Sequence, residues 1–71
     1  MKEGALRQHI KWCLERCRQD GKALWMHQAF GAVQFYGTVC QDPEEHARIE
    51  KMWNNHYKIE FEEILYGPYS I

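Results

Sequence analysis

The sequence lacks the short motifs that mark many catalytic and nucleotide-binding sites. It contains no G-x-S-x-G turn, no P-loop, no H-E-x-x-H helix and no C-x-x-C pair. It also lacks an uninterrupted apolar run of the roughly 18–20 residues that a membrane-spanning helix needs. Its opening residues, MKEGALRQHIKW, contain no apolar segment of a secretory signal, so we expect a cytoplasmic protein. These absences favour a protein without catalytic activity and without a cofactor.

Proline is scarce and turn signals are few, and those that occur divide the chain into three segments of helical length. The turn signals are Asp20-Gly21, Asp42-Pro43 and Gly67-Pro68. The helices are expected at about residues 3–20, 22–40 and 43–66. Because the connecting loops are short, we predict an all-α fold, a small antiparallel three-helix bundle. One domain over residues 1–66 would be followed by a C-terminal tail over 67–71.

The first segment carries its apolar side chains on one side of a helix. At 3.6 residues per turn they form one narrow stripe, which consists of Leu6, Ile10, Cys13, Leu14 and Cys17. The chain has three cysteines, and an odd number does not suit a disulfide framework. We therefore expect reduced thiols, with Cys13 and Cys17 packed in the core as small apolar side chains.

The middle segment lacks charge, since no Asp, Glu, Lys or Arg occurs from Ala23 to Cys40. Apolar residues recur there at the 4-3-4-3 spacing of a helix that faces other helices: Trp25, Ala29, Ala32, Tyr36 and Val39. A pair of strands is the alternative, because aromatic and β-branched residues are frequent. As a helix, the segment is apolar over about two-thirds of its circumference, more than two neighbours cover. The tail or a second chain must cover the rest, and we expect a homodimer.

The third segment begins with the clearest local signal in the chain. Asp42 is expected as the N-cap, with Pro43 in the first helical position and Glu45 completing a capping box. The apolar side of this helix is predicted from its spacing to consist of Ile49, Met52, Trp53, Tyr57, Phe61 and Ile64.

Two groups of titratable residues invite a chemical interpretation. His56 and Glu60 lie one turn apart and project toward the apolar side, so we expect a buried polar pair. Exposure to water and an acid–base site are the alternatives for this pair. His9, Cys13 and Cys17 have one-turn spacing but not the pairing of a zinc-binding motif, so we expect no metal there.

An aromatic side chain outside the predicted apolar stripe is the first candidate for partner binding. Trp12 lies nearly opposite the apolar stripe of its helix, one turn from Arg16, whose guanidinium can cover the indole. Tryptophan and arginine are enriched at binding hot spots. Trp12, Arg16 and the outer aromatic residues Trp25 and Tyr36 are therefore the candidate contacts. They predict a small regulator or adaptor that acts through protein–protein contacts, with itself and with a host protein.

Opposite charges are concentrated at the two ends of the chain. Residues 1–22 carry six Lys/Arg and three acids, a balance of +3, and residues 41–71 carry three Lys/Arg and seven acids, a balance of −4. This division predicts attraction between the ends of the fold, or steering of a partner. The basic side lacks the density of a nucleic-acid-binding surface, so no direct nucleic-acid binding is expected. The alternative function is a phage- or mobile-element-type inhibitor of a nucleic-acid-binding enzyme, similar in class to an anti-CRISPR protein, which presents an acidic helix to a basic channel. That helix would bind through Glu60, Glu62 and Glu63.

Overall fold

Three consecutive helical rods make up almost all of residues 2–67, the part of the chain that the computed structural model describes. The α-helices are α1 (Glu3–Asp20), α2 (Leu24–Cys40), α3 (Pro43–Met52) and α4 (Lys58–Tyr66), and a π-helical turn, Trp53–Tyr57, joins α3 to α4 without a break. Since no strand occurs within these residues, the all-α three-helix prediction is confirmed and the strand alternative for α2 is wrong. Of the predicted tail, only Gly67 belongs to the described residues, and residues 68–71 lie outside them.

The order of contacts along α1 defines the topology. Glu3 at the start of α1 forms an ion pair with Arg48 in α3. Arg18 at the end of α1 shares a cleft with Glu63 in α4. The third rod, from α3 through α4, therefore runs parallel to α1, and α2 runs antiparallel between them.

Turn residues set the helix ends as the sequence predicted, with one shift. Gly21 adopts the left-handed conformation (φ 68°) and its N–H donates to the Cys17 carbonyl oxygen at 2.7 Å. The Lys22 N–H then donates to the Asp20 carboxylate at 3.0 Å, which keeps residue 22 in the loop. As a result α2 begins at Leu24, two residues later than expected.

The cap of α3 is confirmed, but it is not a reciprocal capping box. The Asp42 carboxylate accepts hydrogen bonds from the backbone N–H groups of Glu44 and Glu45, at 3.0 and 3.3 Å. The Glu45 carboxylate does not return to the cap. It contacts Arg48 and Tyr36 instead, and so links α3 to α2.

Each rod contributes one stripe to a common core. The predicted α1 stripe is confirmed, because all five of its side chains are buried. Burial of one large apolar side chain stabilises a fold by about 1.5–3 kcal/mol. The buried residues of the other rods are Ala29, Val33, Tyr36 and Gly37 in α2, and Ile49, Trp53, Tyr57 and Phe61 in the third rod. The buried part of α2 is therefore a narrow strip made mostly of small side chains.

The π-helical turn explains how the third rod keeps its stripe on the core. Its buried residues recur every four positions. In a regular α-helix, each such step would rotate the next side chain by about 40° away from the core. The Lys58 N–H donates to the Trp53 carbonyl oxygen, an i→i+5 bond that widens the turn by one residue. This wider turn brings Tyr57 and Phe61 back to the core.

The same turn corrects the prediction of a buried polar pair at His56 and Glu60. The His56 side chain is 65% exposed and that of Glu60 is 39% exposed, and Nε2 of His56 lies 4.0 Å from Oε1 of Glu60. Because the wide turn places Tyr57 in the core, its neighbour His56 is rotated into solvent. The pair lies at the surface.

Candidate protein-binding surface

One side of α2 is left uncovered by the other described helices. Phe35 is 58% exposed, and Leu24 and Val39 are nearly half exposed. At 100° per residue, Leu24 and Phe35 lie on the opposite side of the helix from the buried Ala29 and Val33, and Val39 lies at the edge of that side. We call this surface the α2 face, and its residues are Leu24, Gln28, Gly31, Phe35 and Val39.

The α2 face differs from an ordinary solvated helix face because it carries no charge. No exposed residue of α2 is Asp, Glu, Lys or Arg. The outer side of an amphipathic helix normally bears charged residues, whereas exposed apolar patches mark contact sites. The face therefore has the character of a binding surface.

An aromatic cluster adjoins the α2 face at the junction of α1 and α2. The indoles of Trp12 and Trp25 meet edge to face with centroids 5.3 Å apart. The guanidinium carbon of Arg16 lies 5.5 Å from the Trp12 centroid and 5.2 Å from that of Trp25. Trp12 is about half exposed, as predicted. The structure thus brings together three of the four candidate hot-spot residues, and we call them the Trp–Arg cluster.

A hydrogen bond fixes the orientation of Trp25 in this cluster. Its indole N–H donates to both oxygens of the Asp20 carboxylate, at 3.1 and 2.9 Å. This bond, together with the backbone N–H of Lys22, lowers the pKa of Asp20 below its ordinary value. The carboxylate therefore stays charged and holds the indole in place near neutral pH.

Tyr36, the fourth candidate, does not reach the surface. It is only 8% exposed, and its hydroxyl donates to a carboxylate oxygen of Glu45 at 3.3 Å. Burial, followed by the nearby Glu45 charge, raises the pKa of Tyr36. Its interpretation as an outer aromatic residue is wrong because it belongs to the core strip of α2, and this burial gives its predicted role as a partner contact no support. The neighbouring Phe35 points outward instead.

Sequence reasoning did not single out Leu24 or Phe35 as contacts, although the signal was present. The 4-3-4-3 spacing that includes Trp25 and Ala29 places Tyr36 on the core side of the helix. Leu24 and Phe35, one residue before Trp25 and Tyr36, are rotated by about 100° away from that side, toward solvent. The same spacing also includes Val39, which is exposed, so it separates the outer side from the core only in part.

The acids of α4 face cations of α1 across open clefts. Arg18 lines one cleft together with Glu60 and Glu63, and Glu62 is half-buried. A neighbouring cleft of about 450 Å³ is lined by Arg7, Lys11, Leu14, Glu15, Arg18, His56, Tyr57 and Glu60. Opposite charges from the two ends of the chain thus line the same clefts, but no ion pair joins Arg18 to Glu60 or Glu63 among the described residues. Because Arg18 lies beside two of the three acids, the inhibitor alternative gains no separate support.

A second charge network ties the start of α1 to α3. Arg48 forms ion pairs with Glu3 and, at 2.6 Å, with Glu45, and Arg7 binds Glu3 at 2.9 Å. Hydrogen bonds from Arg48 are the main reason why the pKa values of Glu3 and Glu45 are lowered. The two carboxylates in turn raise the pKa of Arg48. The network satisfies these charges within the chain.

The described cysteines and histidines do not assemble into a metal-binding group. Within residues 2–67, no cluster of three or more His, Cys, Asp and Glu side chains has an arrangement that would hold a metal ion. Sγ of Cys13 lies 3.7 Å from Nε2 of His9, and burial raises the pKa of Cys13 and Cys17. All three thiols are free, and those of Cys13 and Cys17 are buried as predicted.

Among the helices of residues 2–67, none combines the length and the apolar character that crossing a membrane requires. Comparisons with protein-family models, with curated proteins and with solved structures find no match for this chain. The functional interpretation therefore depends on the chain's own residues.

Proposed function

We propose that this chain is a small regulator or adaptor that acts through protein contact, without catalysis or a cofactor, and that it self-associates through the α2 face. The observation that carries the proposal is the exposure of Phe35, Leu24 and Val39 on a helix without charge. Full burial of such a side chain contributes about 1.5–3 kcal/mol, and each of these three still exposes roughly half of its surface. Covering the α2 face is therefore a substantial source of binding energy.

A second copy of the chain is a suitable occupant because the α2 face is neutral. In a two-fold dimer, each surface patch packs against the same patch of its partner. A charged patch would bring like charges together, which disfavours association. The α2 face contains no charge, so self-pairing meets no such repulsion.

The Trp–Arg cluster extends this surface and supports contact with a further protein, such as a host protein. Trp12 presents about half of its surface to solvent beside Arg16. Rigid aromatic side chains next to arginine are the residues that most often dominate binding energy. The three free thiols are typical of a reducing compartment, so a cytoplasmic location belongs to the same proposal.

Molar mass measured by light scattering over a range of concentrations tests the proposal. We expect the mass of the wild-type chain to rise toward twice its monomer value between low and high micromolar concentration. The Phe35→Ser/Val39→Ser variant should remain monomeric, because its α2 face has lost two of its exposed apolar side chains. Ile59→Ser is the matched control, since Ile59 is also nearly half exposed but lies on α4. A wild-type chain that stays monomeric at several hundred micromolar would contradict self-association.

A further inference from the structure

An open groove of about 310 Å³ lies between α2 and the π-helical turn, and no residue of the α2 face lines it. Two of its aromatic rings are in contact, since the centroids of Phe30 and Trp53 lie 5.6 Å apart. Phe30 still exposes 41% of its surface there. A concave site of this volume, with an apolar lining and a few polar groups, suits a small ligand. We call it the Phe30 groove, and its lining residues are Met26, His27, Phe30, Trp53, Asn54 and Lys58.

The π-helical turn shapes one wall of the Phe30 groove. Two residues that are five positions apart, such as Trp53 and Lys58, are rotated by about 140° from each other in a regular α-helix. The turn holds one extra residue, because the Lys58 N–H donates to the Trp53 carbonyl oxygen, and the angle is reduced to about 40°. The ammonium-bearing side chain and the indole therefore line the same groove. Single π-helical turns within α-helices occur frequently at functional sites.

The charge of the Phe30 groove distinguishes it from the other clefts. Of the described residues that line it, Lys58 carries the one permanent charge, and none is an acid. In the cleft of about 450 Å³ beside α1, by contrast, three cations lie together with Glu15 and Glu60. None of the ion pairs within residues 2–67 involves Lys58. An anionic group of a ligand would therefore meet a cation that no described acid neutralises.

We propose that the Phe30 groove binds a small organic acid with an apolar body, whose carboxylate pairs with Lys58. The apolar body lies against the two aromatic rings, and its removal from water supplies most of the affinity. The side chains of Asn54 and His27 also line the groove and can donate hydrogen bonds to the carboxylate. This small-molecule site goes beyond the proposed protein contact and does not depend on it, because the two surfaces share no residue.

Titration of the wild-type chain with phenylbutyrate, followed by amide NMR, tests the proposal. We expect saturable shifts of the Trp53 indole N–H and of the backbone N–H groups of Phe30 and Asn54, with a dissociation constant of about 1 mM or below. Phenylbutyramide has the same apolar body without the charge. It should bind about threefold to fivefold more weakly, because it cannot form the ion pair with Lys58.

Two variants separate the contribution of the charge from that of the apolar rings. Lys58→Gln should weaken phenylbutyrate binding to the level of the amide and leave binding of the amide unchanged. Phe30→Ala should weaken binding of both ligands by about tenfold, because it removes the exposed ring. Lys51→Gln is the matched control, since Lys51 is an exposed cation of α3 that does not line the groove. It should bind both ligands as the wild-type chain does.

Three outcomes would overturn this assignment. If the acid and the amide bind equally well, Lys58 takes no part and the proposed class of ligand is wrong. If the groove resonances show no saturable shift, the groove is not a binding site for such acids. If the Phe30 and Trp53 resonances shift with protein concentration alone, a second copy occupies the groove instead. The first two outcomes leave self-association through the α2 face untouched, since the mass measurement tests it separately.

Discussion

The imidazole ring of His46 lies directly against Gly37, where α3 passes α2. A side chain built on Gly37 would overlap Cδ2 and Nε2 of the ring and would lie 2.9 Å from its Cγ. Nε2 itself is buried and lies 2.9 Å from Oε1 of Glu50, but the two groups are not aligned as a hydrogen bond. This contact sets how closely α3 approaches α2.

We predict that Gly37→Ala destabilises the fold although alanine is the better helix former. Overpacking a close contact costs about 1–3 kcal/mol, against a gain of about 1 kcal/mol from helix propensity. Urea unfolding at low concentration measures the difference. Gly31→Ala, in the same helix but with no atom of the described residues within 4 Å of the added Cβ, should be stabilising. If the His46 ring causes the strain, the double variant Gly37→Ala/His46→Ala should be more stable than Gly37→Ala alone. A Gly37→Ala variant as stable as Gly31→Ala would disprove the packing argument.

The buried aromatic ring of Phe61 should be indispensable for folding. It is completely buried and lies with its centroid 5.8 Å from that of Trp53, and the π-helical turn places it there. Truncation of a buried phenylalanine costs about 3–5 kcal/mol, a large part of the stability of a small domain. Phe61→Ala should therefore be largely unfolded by circular dichroism at room temperature. Ile59→Ala, at an exposed position two residues earlier, should remain folded. An equal loss of helical signal in both variants would show that Phe61 does not lie on the core side of α4.

The Arg48 network should make stability depend on pH in a defined direction. The folded-state pKa values of Glu3 and Glu45 are lowered, so the network stabilises the fold above the ordinary carboxylate pKa. This stabilisation is lost as pH falls through the lowered values. Arg48→Gln should therefore reduce the melting temperature at pH 7 and have almost no effect near pH 2. Lys51→Gln, at an exposed cation of the same helix, is the control, and an effect of Arg48→Gln that persists in acid would contradict the electrostatic origin.

Arg16 should be energetically coupled to Trp25 of the Trp–Arg cluster. Cation–π pairs at exposed sites contribute about 0.5–1 kcal/mol. A double-mutant cycle with Arg16→Ala and Trp25→Leu, followed by thermal unfolding, should give a coupling energy in this range. The same cycle with Arg18→Ala should give a coupling near zero, because Arg18 faces α4. Equal coupling energies in both cycles would show that the coupling does not come from the contact between the Arg16 guanidinium and the indole ring.

The sequence was sufficient for those features that depend on a single helix. The stripe of α1 and the cap at Asp42 follow from local spacing and from hydrogen bonds between near neighbours. The π-helical turn could not be predicted from local spacing, because it arises from the packing of the third rod against its neighbours. The predicted burial of His56 was wrong for the same reason. The choice between Tyr36 and Phe35 depended on which side of a largely apolar helix meets the core, and composition alone cannot decide that.

The three thiols of the folded chain differ in how accessible they are to reagents in solution. Cys13 and Cys17 are closed off inside the core, whereas Cys40 at the end of α2 is only partly covered. A mild alkylating reagent would therefore tag the native protein once, beside the turn between α2 and α3. A fluorophore attached there would lie beside the core where α2 ends, and would report on any opening of the contact between α2 and α3.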